Sequence, residues 1–185
     1  MSRLVDDLLS LTRVEMRAHL VPRGTADLNE VAAYVVQSLE PLANSQNARI
    51  SLKVLDADAL IRADREEIVQ ALQNLVHNAL KYGRDNGCVE VTVSRQANDD
   101  GTQDTFNVSV ADDGPGIAAH HLPRLVERFY RVNPASSREK GGTGLGLAIV
   151  KHIMLRHRGD LKVTSKVGQG STFTLAFEEL APNAT

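Results

Sequence analysis

The sequence predicts a two-layer α/β sandwich, in which three longer helices cover one face of a mixed or mostly antiparallel sheet of about five strands. Five segments alternate apolar and polar residues, which is typical of half-buried strands. Other segments repeat apolar residues at helical spacing. Residues 113–142 follow neither pattern, and so long an irregular stretch inside a compact domain indicates a functional lid.

The first predicted element is a short amphipathic helix. Leucines recur at helical spacing from position 4 to position 11, but the helix has little to bury against within itself. We therefore expect it to be one strip of a larger helical bundle. Pro22 and Gly24 interrupt the pattern and predict a linker over residues 21–26.

A second helix and a first strand follow the linker. Apolar residues from Leu28 to Leu42 repeat at helical spacing, and Asp27 suits the N-cap position. Pro41 is expected to kink the helix or end it, because proline cannot continue the hydrogen-bond ladder. Residues 50–55 alternate like a strand.

A third helix begins after Asp64, in a capping-box-like pattern, and runs to about Tyr82. Besides an apolar stripe it carries a polar stripe of Asn74, Asn78 and Lys81. Asparagine is a mediocre helix former, so the stripe favours a function. Amide oxygens are hard ligands that suit Mg²⁺, and a lysine one turn further can meet phosphates that share the ion. A solvated helix surface is the alternative.

The remaining elements complete the sheet and its helical layer. The other predicted strands are residues 89–93, 106–110, 161–165 and 172–177. Polar residues 98–101 predict a hairpin connection, and residues 168–170 join the last two strands. A helix over residues 145–157 precedes that last pair.

An acidic turn rich in glycine follows the strand at 106–110. An ionised Asp112 offers only hydrogen-bond acceptors, so it can bind an exocyclic amino group such as adenine N6. Gly114 and Gly116 let a flat ring approach the backbone. The alternative is an Asp-Gly turn that only ends the strand.

Four glycines lie within residues 141–146, directly before an apolar helix. A helix that begins after such a loop directs unpaired N–H groups at whatever lies in front of it, which suits phosphates. The spacing fits neither the P-loop nor the dinucleotide-binding fingerprint. A loop that only caps the helix is the alternative.

Five motifs together resemble those of bacterial sensor histidine kinases, in the same order. Residues 74–82 resemble the N box, 112–117 the first glycine box, 127–131 the F box, 142–147 the second glycine box and 168–173 the closing Gly-x-Gly-Ser/Thr element. The resemblance implies a Bergerat-type ATP-binding fold over residues 27–180 and a short tail over 181–185. Residues 1–20 resemble the C-terminal part of a dimerisation and phosphotransfer helix.

The resemblance implies that the cofactors are ATP and Mg²⁺. Asn78, helped by Asn74, would hold the ion, while Lys81 and Arg131 would meet the phosphates; Asn78, Lys81 and Arg131 would therefore be the catalytic residues. Tyr82 would flank the adenine, whose amino group would bind Asp112.

The other residues implied to bind nucleotide belong to the glycine and F boxes. Gly114, Gly116 and Ile117 would shape the base pocket; Gly142, Thr143, Gly144, Leu145 and Gly146 would close over the phosphates; Ser171 belongs to the closing element; and Phe129 would anchor the lid. One residue departs from the pattern, because Val126 stands where the F box usually has an earlier phenylalanine.

The phosphoryl acceptor is expected to lie outside this chain. Related ATPases of this fold carry a glutamate one helical turn before the metal-binding asparagine, whereas Asn74 cannot act as a base at neutral pH. None of the six histidines is followed by the acidic residue found at the phosphorylated histidine of sensor kinases. The implied partners are a histidine-bearing dimerisation domain of the same or a sister kinase and a response regulator. We do not expect the chain alone to phosphorylate itself.

Two other functions fit parts of the pattern. The first is a pseudokinase, a nucleotide-sensing module that acts by docking to a partner kinase; the intact set of Asn, Lys and Gly residues argues against it. The second is an anti-sigma-type serine kinase, which shares the fold; the remnant of a dimerisation helix argues against that.

Composition and charge limit the other classes of function and the cellular location that fit this chain. A net charge of -2 gives no general attraction to nucleic acid, and no apolar segment long enough to span a membrane is found. The acidic residues near Met1 do not fit a signal peptide. Cys88 is the only cysteine and is expected to be a buried thiol in a reducing compartment. We expect a cytoplasmic domain without membrane contact of its own, whose parent kinase can be membrane-anchored.

Overall fold

The computed structural model describes residues 3–17, 20–97, 104–133 and 142–180. The α-helices in these ranges are α1 (Arg3–Met16), α2 (Leu28–Ser45), α3 (Arg65–Tyr82) and α4 (Gly146–Arg156). The strands are β1 (Thr25–Asp27), β2 (Arg49–Val54), β3 (Leu60–Arg62), β4 (Cys88–Gln96), β5 (Thr105–Asp112), β6 (Asp160–Lys166) and β7 (Gly170–Glu178). A short 3₁₀ helix, Ala119–Arg124, follows β5. Among the helices in the described ranges, none combines the length and the continuous apolar surface that a bilayer-spanning segment requires.

The main sheet has the strand order β2-β4-β5-β7-β6 and is mixed, as predicted. Strand β2 pairs with β4 in parallel, and every other pairing in this sheet is antiparallel. The five strands predicted from alternation are therefore confirmed. The ends of the other four strands extend one to three residues beyond the predicted ranges, because backbone pairing continues past the last alternating side chain, whereas β2 begins and ends one residue earlier than predicted.

The helices α2, α3 and α4 pack on one face of this sheet, as the predicted sandwich requires. In β4, Val89, Val91 and Val93 are buried, while the intervening residues are exposed or half-buried. Since successive strand side chains point to opposite faces, the core lies on one side of the sheet only. The apolar stripe of α3 closes that core.

A second, two-stranded sheet was not predicted. Strands β1 and β3 pair antiparallel, with Ala26 opposite Ile61 and both side chains buried. Each strand has only three residues, too short for alternation to be recognised in the sequence. Strand β1 takes up the end of the stretch predicted as a linker over residues 21–26.

Two local predictions need correction. Of the two effects expected of Pro41, a kink or an end, the end does not occur: helix α2 continues to Ser45, and the buried Ala43 holds the turn beyond the proline. Cys88 is exposed rather than buried. It precedes Val89, which occupies the core face of β4, so the strand alternation places the thiol on the opposite face.

Helix α1 packs against α4. Leu11 and Val14 are buried, whereas Leu4 and Leu8 are about half exposed. The hydroxyl of Ser10 also accepts a hydrogen bond from the side-chain amide of Gln70 on α3. The C-terminal half of α1 is therefore part of the packed domain, and its N-terminal half presents apolar side chains outward.

Candidate functional site

A cavity of about 380 Å³ lies between α3, the end of β5 and the start of α4. It brings together residues that are far apart in the sequence. The residues predicted to bind nucleotide that line it are Asn74, Asn78, Lys81, Tyr82, Asp112, Gly116, Ile117, Arg131, Gly142, Thr143, Gly144, Gly146 and Ser171. The other lining residues are Asp7, Ala79, Pro115, Leu125, Tyr130, Val132, Asn133, Leu147 and Phe173.

The polar stripe of α3 forms one wall. The buried residues Leu75 and Ala79 hold the helix against the core, so its asparagines face the cavity. The Asn74 side-chain amide donates to the Gln70 carbonyl oxygen over 3.1 Å, which fixes its orientation. A Cβ added to Gly146 would lie 3.1 Å from Asn74 Oδ1, so glycine at this position lets α4 approach the amide closely.

The amide oxygens of Asn74 and Asn78 fit a magnesium ion that takes its remaining ligands from phosphate and water. Both residues line the cavity one helical turn apart. Within the part of the chain that the structure describes, no cluster of three or more His, Cys, Asp or Glu residues could hold a metal by itself. Two amide oxygens leave most positions of an octahedral ion to other ligands, so this donor set suits an ion that arrives with a polyphosphate.

Asp112 lies at the carboxyl end of β5, between the main sheet and the cavity. Its Oδ1 accepts a hydrogen bond of 2.8 Å from the Gly114 backbone N–H. Burial raises the pKa of this carboxyl group, and hydrogen bonds from the Gly114 and Ser171 backbones offset part of that rise. A Cβ at Gly114 would come within 2.6 Å of Asp112 Oδ1, so the turn requires glycine to hold the carboxylate in this position.

The glycine turn before α4 forms the opposite wall. Gly144 has φ = 74°, a left-handed conformation that favours glycine, and its carbonyl oxygen accepts the Phe129 backbone N–H over 2.9 Å. The Thr143 hydroxyl oxygen accepts the Leu145 backbone N–H over 3.3 Å. The bond from Phe129 attaches the glycine turn to residues 127–131, and Arg131 of that segment also lines the cavity.

Three predicted residues do not line the cavity. Leu145 is fully buried in the hydrophobic core, and only its backbone faces the glycine turn. The Phe129 side chain is 58% exposed, so its backbone, not its ring, connects this segment to the glycine turn. Gly114 contributes to the site indirectly, because its backbone N–H donates a hydrogen bond to Asp112 Oδ1. Val126 borders a separate cavity of about 190 Å³ beside Met154 and Leu155.

Sequence reasoning missed several lining residues. Tyr130 and Phe173 belong to motifs that were recognised, so their places in those motifs could have pointed to them. Tyr130 is held by His121, whose Nδ1 lies 2.6 Å from the phenolic oxygen, and by the Arg124 guanidinium 4.3 Å from the ring centroid. Asp7 carries no local signal, because only the docking of α1 brings it to the cavity. Gly141 and the 98–101 connection lie outside the described residues.

Residues 63–181 match the model of a protein family described as histidine kinase-, DNA gyrase B- and HSP90-like ATPases. Over 177 residues the chain is 40% identical to the phosphate regulon sensor protein PhoR of Pseudomonas aeruginosa, covering 96% of this chain and 38% of that protein. It is 34% identical to the sensor histidine kinase WalK of Bacillus subtilis, covering 97% of this chain and 29% of that protein. The chain thus spans less than two fifths of either relative.

Solved structures show the same similarity. The chain aligns with full-length ShkA in complex with AMPPNP at a TM-score of 0.78 and 30% identity, covering 97% of this chain and 36% of that one. It aligns with the catalytic domain of the histidine kinase ThkA at a TM-score of 0.70 and 26% identity, covering 84% of this chain and 94% of that one.

Proposed function

The chain belongs to the family of histidine kinase-, DNA gyrase B- and HSP90-like ATPases, and from this premise we propose that it binds Mg-ATP in the cavity and phosphorylates a histidine on a partner domain. Its curated relatives named above are sensor proteins, one of them a sensor histidine kinase. The observation that carries the proposal is the meeting of Asp112 with Asn74 and Asn78 around one cavity, although β5 and α3 are separated in the sequence.

The lining residues supply two chemically different ends for a nucleotide. At the Asp112 end, a carboxylate acceptor and the backbone beside Gly116 suit the amino group and flat face of adenine. At the other end, Asn74 and Asn78 lie close to Gly146 of the glycine turn, and Lys81 lines the same cavity. A magnesium ion bound there would neutralise phosphate charge, and Lys81 and Arg131 would hold the phosphates in line for transfer.

The site favours transfer to another molecule over hydrolysis. One helical turn before Asn78 stands Asn74, whose amide cannot deprotonate water. We therefore assign the acceptor to a histidine of a dimerisation domain of the same or a sister kinase. A ring nitrogen of that histidine forms a bond to the γ-phosphorus while the bond to the β–γ bridging oxygen breaks and ADP leaves. A response-regulator aspartate would then receive the phosphoryl group, in the cytoplasm, where ATP is supplied.

Labelled ATP tests this proposal. The chain alone should bind Mg-ATP without acquiring phosphohistidine, and adding a separate histidine-bearing dimerisation domain should yield phosphohistidine on that domain. Asn78→Ala should abolish most of the transfer, whereas Gln73→Ala, on the same helix but outside the cavity, should leave it unchanged.

Mass spectrometry of both chains decides the outcome. Phosphohistidine on this chain alone would refute the assignment of the acceptor. Tight nucleotide binding without transfer to any dimerisation domain of a related kinase would instead support the pseudokinase alternative, which nothing in the site or the relatives named above favours.

A further inference from the structure

Asp7 of α1 reaches the cavity although it belongs to none of the nucleotide-binding motifs. Its Oδ2 accepts a hydrogen bond of 2.6 Å from the Thr143 hydroxyl, and the residue is part of the cavity lining. The same Thr143 oxygen accepts the Leu145 N–H at the start of α4. A carboxylate is thus joined through one hydroxyl to the turn that the proposed function assigns to the phosphates.

The position of Asp7 is fixed by the docking of α1. Leu11 and Val14 are buried one and two turns further along the same helix. Glu15 pairs with Arg128 and lies 3.2 Å from the His152 imidazole. These contacts hold the helix, so the Asp7 backbone stays at the edge of the cavity. The hydrogen bond to the Thr143 hydroxyl then orients the carboxylate toward the glycine turn.

The charge of Asp7 opposes the charge of a polyphosphate. Among the lining residues, Lys81 and Arg131 are cationic, and Asp7 and Asp112 are anionic. Asp112 lies at the end of the cavity suited to the base, whereas Asp7 contacts the glycine turn. Like charges in a partly enclosed site repel each other, and the repulsion grows with the number of uncompensated phosphate charges.

Resting on the proposed function, we propose that Asp7 is a specificity-determining residue of the nucleotide site, one that disfavours phosphate charge not neutralised by a divalent cation. Asp7 thereby makes the affinity for ATP more dependent on magnesium than Asn74, Asn78 and Lys81 alone would make it. Adenosine carries no phosphate, so the charge of Asp7 does not lower its affinity.

The test compares Asp7→Asn with Asp6→Asn in calorimetric titrations of the whole chain with ATP and adenosine, each with magnesium and with a chelator. The Asp7→Asn side chain keeps an oxygen acceptor for Thr143 but loses the charge. Asp6→Asn changes the net charge of the chain by the same amount, but Asp6 is exposed and lies outside the cavity, so this variant is the matched control. Asp7→Asn should bind ATP about two- to fivefold more tightly, with the larger gain in chelator, and bind adenosine unchanged. The gain should shrink in high salt.

Four outcomes overturn the inference: equal ATP affinity of the two variants, the same gain for adenosine as for ATP, a gain no larger in chelator than with magnesium, or weaker ATP binding by Asp7→Asn. Failure of the proposed function is separate and visible in the unsubstituted chain, which would then show no magnesium-dependent affinity for ATP. Thermal melting of both variants checks that the fold is kept.

Discussion

At the scale of single residues, Asp112 combines a cost in stability with its proposed use. Burial raises the pKa of its carboxyl group, which means that the fold disfavours the ionised form. The folded state therefore binds a proton more readily than the unfolded chain, and the free energy of unfolding falls as the pH rises through this titration. Such a cost is common where a site keeps a charged acceptor for a ligand.

Asp112→Asn should separate binding from stability. The amide keeps one oxygen acceptor for Gly114 N–H but replaces the other with a donor, so adenine nucleotides should bind at least about tenfold more weakly. The melting temperature should change little, because the removal of a half-buried charge offsets the weakened hydrogen bonding to the Gly114 and Ser171 backbones. Calorimetry and thermal melting measure the two effects. Asp113→Asn, exposed and outside the cavity, is the control; equal affinities of the two variants would contradict the role of Asp112.

Residue chemistry was predictable from the sequence where a motif carried it, and not where packing decided it. The amides of Asn74 and Asn78 are on one face of α3 because of their spacing alone. Whether the Leu145 side chain faces the cavity or the core depends on how α4 packs on the sheet, and in the structure the side chain is buried in the core. Asp7 enters the cavity through tertiary docking, which no pattern within residues 1–20 reveals.

At the scale of elements, a buried polar cluster joins the start of α3 to the end of α4. Arg156 pairs with Glu67 and lies 3.6 Å from Asp64, the N-cap residue of α3. The Asp64 N–H donates to His157 Nε2 over 3.1 Å, so His157 Nδ1–H donates to the Ile153 carbonyl oxygen. The cluster keeps α3, with its asparagines, in register with α4 and its glycine turn.

Glu67→Gln should destabilise the fold strongly, because it leaves the buried Arg156 guanidinium without its nearest countercharge. Removing one partner of a buried ion pair costs about 3 kcal/mol, whereas an exposed carboxylate costs much less. Glu66→Gln, one residue earlier and exposed, is the matched control. Urea denaturation measures both, and similar midpoints for the two variants would show that Asp64 alone balances Arg156.

The longer elements were predictable because local signals agreed with tertiary packing. Helix α3 has a side-chain cap at Asp64 and an uninterrupted apolar stripe, and the main strands alternate cleanly. Strands β1 and β3 have neither signal and exist because they pair with each other. Helix α2 passes through Pro41 since its packing outweighs the lost hydrogen bond.

At the scale of the whole molecule, the core and the site are built from the same elements. Helix α3 buries one face against the sheet and lines the cavity with the other, while α4 ends in the Glu67–Arg156 cluster and begins at the glycine turn. A change in global stability therefore alters the site as well. The order of the strands in the main sheet was not predicted, because alternation identifies strands but does not order them.

The contribution of His157 to the stability of the whole domain should fall as the solution is acidified from pH 7 to pH 5. Burial lowers the pKa of the His157 imidazole, against smaller opposing effects of the Ile153 carbonyl and the Glu67 carboxylate. The unfolded chain then binds more protons than the folded one just below the ordinary histidine pKa of about 6.5. The free energy of unfolding therefore rises with pH in this window, by at most about 1.4 kcal/mol per pH unit for this one residue.

Urea denaturation at several pH values tests the source of that slope. His157→Gln removes the titration, so the slope between pH 5 and pH 6.5 should decrease, although the variant is less stable overall because the Asp64 and Ile153 bonds are disturbed. Ile153→Val, a buried substitution that lowers stability without removing a titratable group, should keep the slope of the unsubstituted chain. Equal slopes in the two variants would mean that His157 binds the same number of protons in the folded and unfolded states over this range, and that another group carries the pH dependence.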